Sequence, residues 1–205
     1  MNIAFDPATL DFDKSGGLLP VVVQDAATLR VLMLGYMDRA ALQATLDSGR
    51  VTFFSRSRQA LWTKGETSGN VLDLVAVDTD CDRDSLLVMA RPHGPTCHLD
   101  RSSCFAGAPG DAVAALDAVV AGRRDLPADA GYTARLFAGG IRRIAQKVGE
   151  EGVETALAAV AQDDAALLGE AADLVYHLVV LLRARGLAWD DVADTLAARA
   201  APALE

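Results

Sequence analysis

The sequence changes character once, at the small and turn-prone stretch AGAPGDA between Ala106 and Ala112. Before it, short β-branched and apolar runs alternate with Gly, Asp and Ser, which is typical of strands. After it, alanine and leucine recur at helical spacing and turn signals become rare. We therefore predict an α+β, strand-rich domain over residues 1–106, followed by an all-α helical-bundle domain over residues 112–205.

The individual elements follow from the same patterns. In the first half, the runs LLPVVVQ, RVLMLGYM, VTFFS, VLDLVAVD and SLLVMAR predict strands. One helix interrupts them, because Asp38 can cap the run DRAALQATLDS and Gly49 can end it. In the second half we expect an antiparallel bundle. Its helices are predicted near residues 112–121, 133–162, 165–185 and 190–200.

Composition excludes several classes of protein. The chain of 205 residues carries a formal net charge of −9, whereas a general nucleic-acid binder needs a basic surface. The N-terminus has no unbroken apolar core of a signal peptide, and the most apolar run, residues 174–182, is too short to span a bilayer. We therefore expect a cytoplasmic protein that binds neither nucleic acid nor membranes. Metal ions and metal-complexed phosphates suit its charge better.

All three cysteines, Cys81, Cys97 and Cys104, fall in one segment of the first half. An odd number of thiols in a reducing compartment indicates metal binding or catalysis before disulfides. Three thiols without a fourth are typical of a catalytic zinc site, which keeps one position for water. His98 could complete a structural site, but adjacent residues rarely both bind one metal, so we favour a base or an orienting group. The alternative is that the cysteines are buried apolar fillers.

The stretch DTDCDRD, residues 78–84, places carboxylates around one of these thiols. In an extended chain Asp78, Asp80 and Asp82 would share one face, and Cys81 would point to the opposite face. Three carboxylates suit Mg²⁺, which takes oxygen ligands. A solvated acidic turn explains the same residues equally well.

Upstream, the segment SRSRQALWTKGETSGN, residues 55–70, concentrates polar and basic side chains. Arginine offers a fork of donors, lysine a point charge and glycine a close backbone approach, all of which suit phosphate recognition. The tryptophan could stack on a base or simply anchor the loop, and a basic surface loop is the alternative to a binding site. The candidate substrate-binding residues are Arg56, Arg58, Trp62, Lys64, Glu66, Ser68 and Asn70.

In the helical half, two narrow acidic stripes are bordered by apolar residues. Glu150, Glu151 and Glu154 share a face of one long helix, and Glu170 and Asp173 share a face of the next. A solvated helix face would be broad and mixed in sign, whereas these stripes are almost wholly acidic. Since converging carboxylates repel unless a cation neutralises them, the stripes predict a divalent-metal site inside the bundle.

The first half resembles the phosphoribosyl-AMP cyclohydrolases of histidine biosynthesis over about residues 18–105. The resemblance rests on GYMDRAAL, SRSRQALWTKGETSGN, DTDCDRDSLLV and GPTCHLDRSSCF in this order. It implies hydrolytic opening of an N1-substituted adenine ring, in a homodimer whose zinc ligands come from both subunits. By position it implies Mg²⁺ at Asp78, Asp80 and Asp82, and Zn²⁺ at Cys97 and Cys104 with Cys81 from the partner subunit.

This resemblance also suggests a mechanism. Zinc lowers the pKa of a bound water, so that hydroxide can attack the ring carbon at neutral pH. His98 is then the candidate for proton transfer, because imidazole titrates near the working pH. His93 lies outside the matched positions, and we interpret it as incidental.

The second half resembles the all-α nucleoside-triphosphate pyrophosphatases, and specifically phosphoribosyl-ATP pyrophosphatase, over about residues 113–200. The matching segments are YTARLFAGGIRRIAQKVGEEGVETALAA and EAADLVYHLVVLL. The resemblance makes Glu150, Glu151, Glu154, Glu170 and Asp173 Mg²⁺ ligands or water activators, with Glu150 and Glu151 as the catalytic candidates. Arg142, Arg143 and Lys147 become candidate phosphate contacts, and His177 either supports the metal ligands or is a satisfied histidine of the bundle.

Together the two resemblances imply a bifunctional hydrolase of small-molecule nucleotides, which catalyses consecutive steps of histidine biosynthesis. Two other classes remain open. One is a zinc-stabilised interaction module fused to a helical dimerisation bundle, which metal analysis and a turnover assay would distinguish. The other is a house-cleaning nucleotide pyrophosphatase with a vestigial first domain, which should hydrolyse ordinary nucleoside triphosphates readily.

Overall fold

The computed structural model describes residues 2–3 and 5–200, and the chain divides into two compact units, Met1–Asp111 and Ala112–Glu205. Over the described residues, the first unit is built of strands, one α-helix and a short 3-10 helix at Pro7–Thr9, and the second of α-helices and a short 3-10 helix at Ala128–Ala130. The predicted fold class, a strand-rich α+β domain followed by an all-α domain, is therefore confirmed.

The first unit consists of a mixed sheet, a separate hairpin and one helix. Its elements are β1 (Asn2–Ile3), β2 (Leu19–Asp25), β3 (Val31–Met37), α1 (Arg39–Ser48), β4 (Thr52–Ser55), β5 (Ala60–Thr63), β6 (Leu72–Thr79) and β7 (Leu86–Pro92). The sheet has the strand order β1-β6-β7-β2-β3, and β4 pairs with β5. The strands expected from sequence are present, while β1 and β5 had no recognisable pattern because they are short.

The centre of the sheet holds the core of this unit. Strand β2 runs parallel to β7 and antiparallel to β3, and alternate residues Leu19, Val21 and Val23 are fully buried. Burying such side chains contributes about 1.5–3 kcal/mol each. Asp38 accepts a hydrogen bond from the Ala41 N–H at 2.7 Å and begins α1, as its capping pattern predicted.

The acidic stretch after β6 is a turn and not a strand. The prediction that the aspartates alternate along an extended chain is therefore wrong beyond Thr79. The Asp80 carboxylate accepts hydrogen bonds from the backbone N–H groups of Asp84 and Ser85, at 3.1 and 3.2 Å, and from the Ser85 hydroxyl at 2.6 Å. These bonds close the turn, because a short acidic side chain can accept the backbone N–H groups that a neighbouring strand would otherwise bind.

The second unit consists of α2 (Ala112–Ala121), α3 (Tyr132–Ala161), α4 (Asp164–Ala184) and α5 (Trp189–Ala200). Only two residues separate α3 from α4, so the two helices pack antiparallel, as predicted. Helix α3 is interrupted at Gly140, where φ is +78° and ψ is 171°. Glycine adopts this conformation without a Cβ clash, and the break redirects the first turns of α3. The core is formed by Val120, Leu136, Ile144, Val179 and Val180.

A buried ion pair joins three helices of this unit. Asp117 on α2, with 4% of its surface exposed, accepts two hydrogen bonds from the Arg183 guanidinium on α4. The same carboxylate accepts the backbone N–H of Trp189, at the start of α5, at 3.1 Å. The Asp117 carboxylate thus links α2, α4 and α5, although Arg183 stays partly exposed to solvent.

Helix α4 is longer than the apolar run of residues 174–182 considered in the sequence. By length and composition alone it could cross a membrane, with a mean hydropathy of 1.7 over its most apolar window. A core helix of a globular protein passes the same test. Glu170, Asp173 and His177 lie along this helix beside acidic residues of α3, which is typical of an internal polar site. Only 17% of the apolar window is buried within the chain.

Candidate active sites

A cavity of about 590 Å³ in the first unit brings together most of the predicted cyclohydrolase residues. It lies between the loop that follows β5 and the loop that follows β7. Its lining includes Arg58, Trp62, Lys64, Glu66, Ser68, Asn70, Cys97, His98 and Cys104. Arg56 is not in the lining, because its guanidinium stacks on the Tyr36 ring at 3.8 Å from the ring centre.

Gly65 and Lys64 shape the loop on one side of this cavity. Gly65 has a φ of +83°, and a Cβ there would lie 2.4 Å from the backbone of Asn70. Lys64 is 7% exposed, and its Nζ donates to the Asn70 carbonyl at 3.3 Å. Burial lowers the pKa of Lys64, while the nearby thiol groups of Cys104 and Cys97 favour its charged form. The ammonium is therefore held beside the thiols.

The two thiols on the other side of the cavity are close enough to interact. The Leu99 backbone N–H and the Arg101 guanidinium lower the pKa of Cys97, and Arg101 Nη2 donates to Cys97 Sγ at 3.7 Å. Burial and the neighbouring Cys97 raise the pKa of Cys104. Thr96 also lines the cavity, and its buried hydroxyl has no hydrogen-bond partner among the described residues. Adjacent thiols beside an unpaired buried hydroxyl fit a soft metal such as zinc.

Cys81 is exposed and lies in the turn between β6 and β7, and it is not among the described residues that line the cavity. The loop that carries Cys97 leaves β7 at the opposite end of the strand. Because β7 has seven residues, and therefore six residue-to-residue steps, these two ends are about 20 Å apart. Within one chain the structure therefore brings two of the three predicted zinc ligands together.

The turn brings three aspartates together, and this set is shifted by two residues along the chain from the predicted set. Ligand atoms of Asp80, Asp82 and Asp84 all lie within 4.8 Å of one another. Asp78 is outside this group, and its carboxylate accepts the Thr79 N–H at 2.8 Å. The sequence contained the signal for Asp84, since it continues the same two-residue spacing.

A lysine from a distant segment contacts this group. Lys14 forms ion pairs with Asp82 and Asp84, and these carboxylates raise its pKa. The Ser85 hydroxyl and the backbone N–H groups of Ser85 and Asp84 lower the pKa of Asp80 to about 2. The hydrogen bonds to Asp80 favour its charged form, and the turn already attracts the Lys14 ammonium, which fits a site for Mg²⁺. Lys14 was not predicted, because nothing in its local sequence indicates the pairing.

In the second unit, ligand atoms of Glu151, Glu154 and Glu170 lie within 4.8 Å of one another. Desolvation and the charges of Glu151 and Glu170 raise the pKa of Glu154. Lys147 Nζ lies 2.8 Å from Glu151 Oε1 and 2.9 Å from Glu150 Oε2. A crowded carboxylate group that holds an ammonium also fits a divalent metal.

A cavity of about 490 Å³ opens beside this carboxylate group. It is lined by Tyr132, Lys147, Glu151, Asp173, Tyr176 and His177. Of the other predicted residues, Glu150 is bound to Lys147 and Gln146, while Arg142 and Arg143 are exposed on α3 outside the lining. Sequence reasoning missed both tyrosines, because the 43 residues between Tyr132 and Tyr176 carry no sign that the two pair.

Each unit thus combines a polar cavity with side chains that can bind metal, and the two sites differ in ligand chemistry. Thiols mark the first cavity and carboxylates the second. With a strand-rich domain followed by a helical bundle, this arrangement defines a two-domain hydrolase.

Comparison with known proteins identifies both domains. Residues 33–106 match the family model of phosphoribosyl-AMP cyclohydrolase, and residues 113–200 match that of phosphoribosyl-ATP pyrophosphohydrolase. A relative named histidine biosynthesis bifunctional protein HisIE, from Xanthomonas axonopodis pv. citri, is 67% identical and covers 95% of each chain. Relatives with the same name from Shewanella oneidensis and Escherichia coli K12 are each 54% identical and cover at least 93% of each chain.

The chain belongs to this family of bifunctional histidine-biosynthesis hydrolases. It hydrolyses phosphoribosyl-ATP to phosphoribosyl-AMP and pyrophosphate, and it then opens the adenine ring of phosphoribosyl-AMP by hydrolysis. The predicted family and activity are confirmed. The alternative of a house-cleaning pyrophosphatase fused to a non-catalytic zinc module is not favoured, because both halves of the chain match hydrolase families.

Proposed function

We propose that ring opening takes place in the 590 Å³ cavity, on a zinc ion bound by Cys97 and Cys104 of one subunit and Cys81 of a second subunit. The observation that carries this proposal is the pair of interacting thiols beside the unpaired Thr96 hydroxyl. The position of Cys81 at the far end of β7 supports a ligand set shared between subunits.

Bound zinc would supply a hydroxide at neutral pH by lowering the pKa of water. The protein residues then orient the substrate and transfer protons. We assign His98, exposed at the edge of the cavity, as the group that moves a proton between the water and the ring nitrogen whose bond to carbon breaks. Arg58, Glu66, Ser68 and Asn70 offer donors and acceptors to the phosphoribosyl groups, and Trp62 offers a stacking surface. Arg56, outside the lining, remains a proposed contact through loop movement.

The dimer that a shared zinc site requires is also supported by the surface of the helical unit. Val153, Leu157, Val160 and Leu168 are 54–81% exposed, and most of the apolar window of α4 is uncovered. Such a surface is typical of an interface between subunits. We expect light scattering to give about twice the chain mass of 21.5 kDa. A zinc-loaded, active species with the mass of one chain would rule out the shared site.

For the turn after β6, we propose that Asp80, Asp82 and Asp84 bind Mg²⁺, with Asp78 left outside, and that this turn serves the ring-opening site of the second subunit, whose zinc Cys81 would complete. The close approach of their ligand atoms and the ammonium of Lys14 among them support this set. The three aspartates offer hard oxygen ligands and a net negative charge, and both features suit Mg²⁺.

Removing the Lys14 ammonium should strengthen metal binding at this site. The Lys14→Met variant keeps most of the side-chain length but no longer competes for Asp82 and Asp84. We expect Mn²⁺, used as a probe for Mg²⁺, to bind about five- to tenfold more tightly at low ionic strength. Isothermal titration calorimetry measures this directly. Arg123→Met, which removes an exposed cation of the other unit, should leave the affinity unchanged; weaker binding by Lys14→Met would show that the lysine supports the site.

For pyrophosphate release, we propose that Glu151, Glu154 and Glu170 hold Mg²⁺, which neutralises charge on the leaving pyrophosphate when bound. Glu151 is 5% exposed at the base of the cavity, where it can orient the attacking water. Glu150 and Asp173 border this group and complete it electrostatically. Lys147 is positioned for a phosphate, and Arg143 and Arg142 lie about one turn before it on α3, where they could reach the distal phosphates.

These assignments are tested together by a time course with phosphoribosyl-ATP as the only substrate, with chromatography of each intermediate. With both metals present, phosphoribosyl-AMP should appear and then be consumed. A cytoplasmic location would suit this chemistry and its thiol ligands. Rapid hydrolysis of ordinary nucleoside triphosphates, without turnover of phosphoribosyl-ATP, would count against the proposal.

A further inference from the structure

We propose that Tyr132 contacts the substrate or the attacking water in the pyrophosphate-releasing site, and that His177 is the positioning residue that holds the Tyr132 hydroxyl. This inference rests on the proposed role of the Glu151 carboxylate group. Neither residue was assigned a substrate contact by the sequence patterns.

The hydrogen bonds of His177 determine which group is the donor in the bond between His177 and Tyr132. His177 Nδ1 lies 2.9 Å from the Asp173 backbone carbonyl oxygen, which can only accept, so Nδ1 carries the hydrogen. In the neutral ring Nε2 is then an acceptor. The Tyr132 hydroxyl, 3.0 Å from Nε2, therefore donates its hydrogen to His177. The lone pairs of the Tyr132 oxygen remain to accept a further hydrogen bond.

That oxygen belongs to a residue that lines the cavity. Tyr132 is 46% exposed and shares the 490 Å³ cavity with Glu151 and Lys147. His177 also lines the cavity but is only 4% exposed, and its Nε2 is occupied by the hydrogen bond to Tyr132. The break of α3 at Gly140 allows the first turns of that helix, which carry Tyr132, to lie over α4.

The ligand must therefore offer a hydrogen-bond donor to the Tyr132 oxygen. The reaction supplies such donors on the nucleotide, in its ribose hydroxyls and its base N–H, and on the water that attacks phosphorus. A phosphate oxygen, which only accepts at neutral pH, does not fit this position. Tyr176 stacks beside Tyr132 with ring centres 6.1 Å apart, which restricts the orientation of the phenol ring.

The test is the steady-state hydrolysis of phosphoribosyl-ATP by Tyr132→Phe, which removes the oxygen and keeps the stacked ring. We expect kcat/KM to fall about three- to tenfold, as for the loss of one hydrogen bond. A rise in KM alone identifies a donor on the nucleotide, and a fall in kcat alone identifies the water. Unchanged kcat and KM in a folded variant would overturn the proposal.

Two variants of His177 separate positioning from a general structural role. Gln can place an acceptor near the Nε2 position, whereas Asn reaches only the Nδ1 position. We expect His177→Gln to retain more activity than His177→Asn. The double variant Tyr132→Phe with His177→Asn should be no slower than His177→Asn alone, because His177 acts through the tyrosine. Losses that multiply in the double variant would contradict the positioning role.

Thr195→Val is the matched control. It removes an exposed helix hydroxyl of the same unit, which donates to the Asp191 carbonyl at 2.7 Å outside the cavity lining, so it should leave kcat and KM unchanged. Glu151→Gln separates a failure of the Tyr132 contact from a failure of the proposed Glu151 carboxylate site. If Glu151→Gln is inactive and Tyr132→Phe is normal, only the tyrosine contact is wrong; if Glu151→Gln is fully active, the carboxylate site fails and the inference fails with it.

Discussion

Glu151→Gln should stop the release of pyrophosphate from phosphoribosyl-ATP, with an expected loss of about a thousandfold in kcat. Gln has the shape of Glu but no charge, so the group with Glu154 and Glu170 loses its most buried ligand. The variant also leaves the Lys147 ammonium without its 2.8 Å partner. Chromatography should show that phosphoribosyl-ATP remains, while phosphoribosyl-AMP supplied separately is still converted to the ring-opened product.

Asp164→Asn is the control for the change of charge. Asp164 is an exposed acidic residue in the first turn of α4 and lies outside the carboxylate group, so this variant should behave like the unmodified enzyme. Calorimetry with Mn²⁺ should show weaker binding by Glu151→Gln alone. Normal turnover by Glu151→Gln would refute the assignment of this site.

Cys97→Ser should block the other reaction. We expect ring opening to fall by about a thousandfold, because a serine hydroxyl stays protonated and is a hard, weak ligand where zinc prefers a thiolate. Supplied with phosphoribosyl-ATP, the variant should release pyrophosphate normally and accumulate phosphoribosyl-AMP. Its zinc content, measured by mass spectrometry of the metal, should fall in parallel.

Cys81→Ser extends this experiment to the shared site. Alone it should lose zinc and ring opening as Cys97→Ser does. When Cys81→Ser and Cys97→Ser chains exchange subunits, half of the dimers are mixed and each mixed dimer has one intact ligand set. Ring opening should then recover to about a quarter of the unmodified activity. If the mixture stays inactive although subunits exchange, the zinc ligands do not come from two chains.

The sequence by itself determined the fold class and much of each site. Strand and helix patterns are local, so the change of character near Ala106 was sufficient to predict a strand-rich unit and a helical unit. Cys97, His98 and Cys104 lie in one short loop, and chain connectivity alone keeps them near one another. The acidic stripes followed from helical spacing, which places Glu151 and Glu154 on one face of α3.

The tertiary structure decided the pairings between distant segments. The Asp80 turn set which aspartates converge, because hydrogen bonds to Ser85 end the extended conformation that alternation assumes. Lys14 meets Asp82 only after the chain has folded around the sheet, and Tyr132 meets His177 only through the packing of α3 on α4. Local periodicity specifies which face a side chain occupies, but the partner across that face depends on how the elements pack.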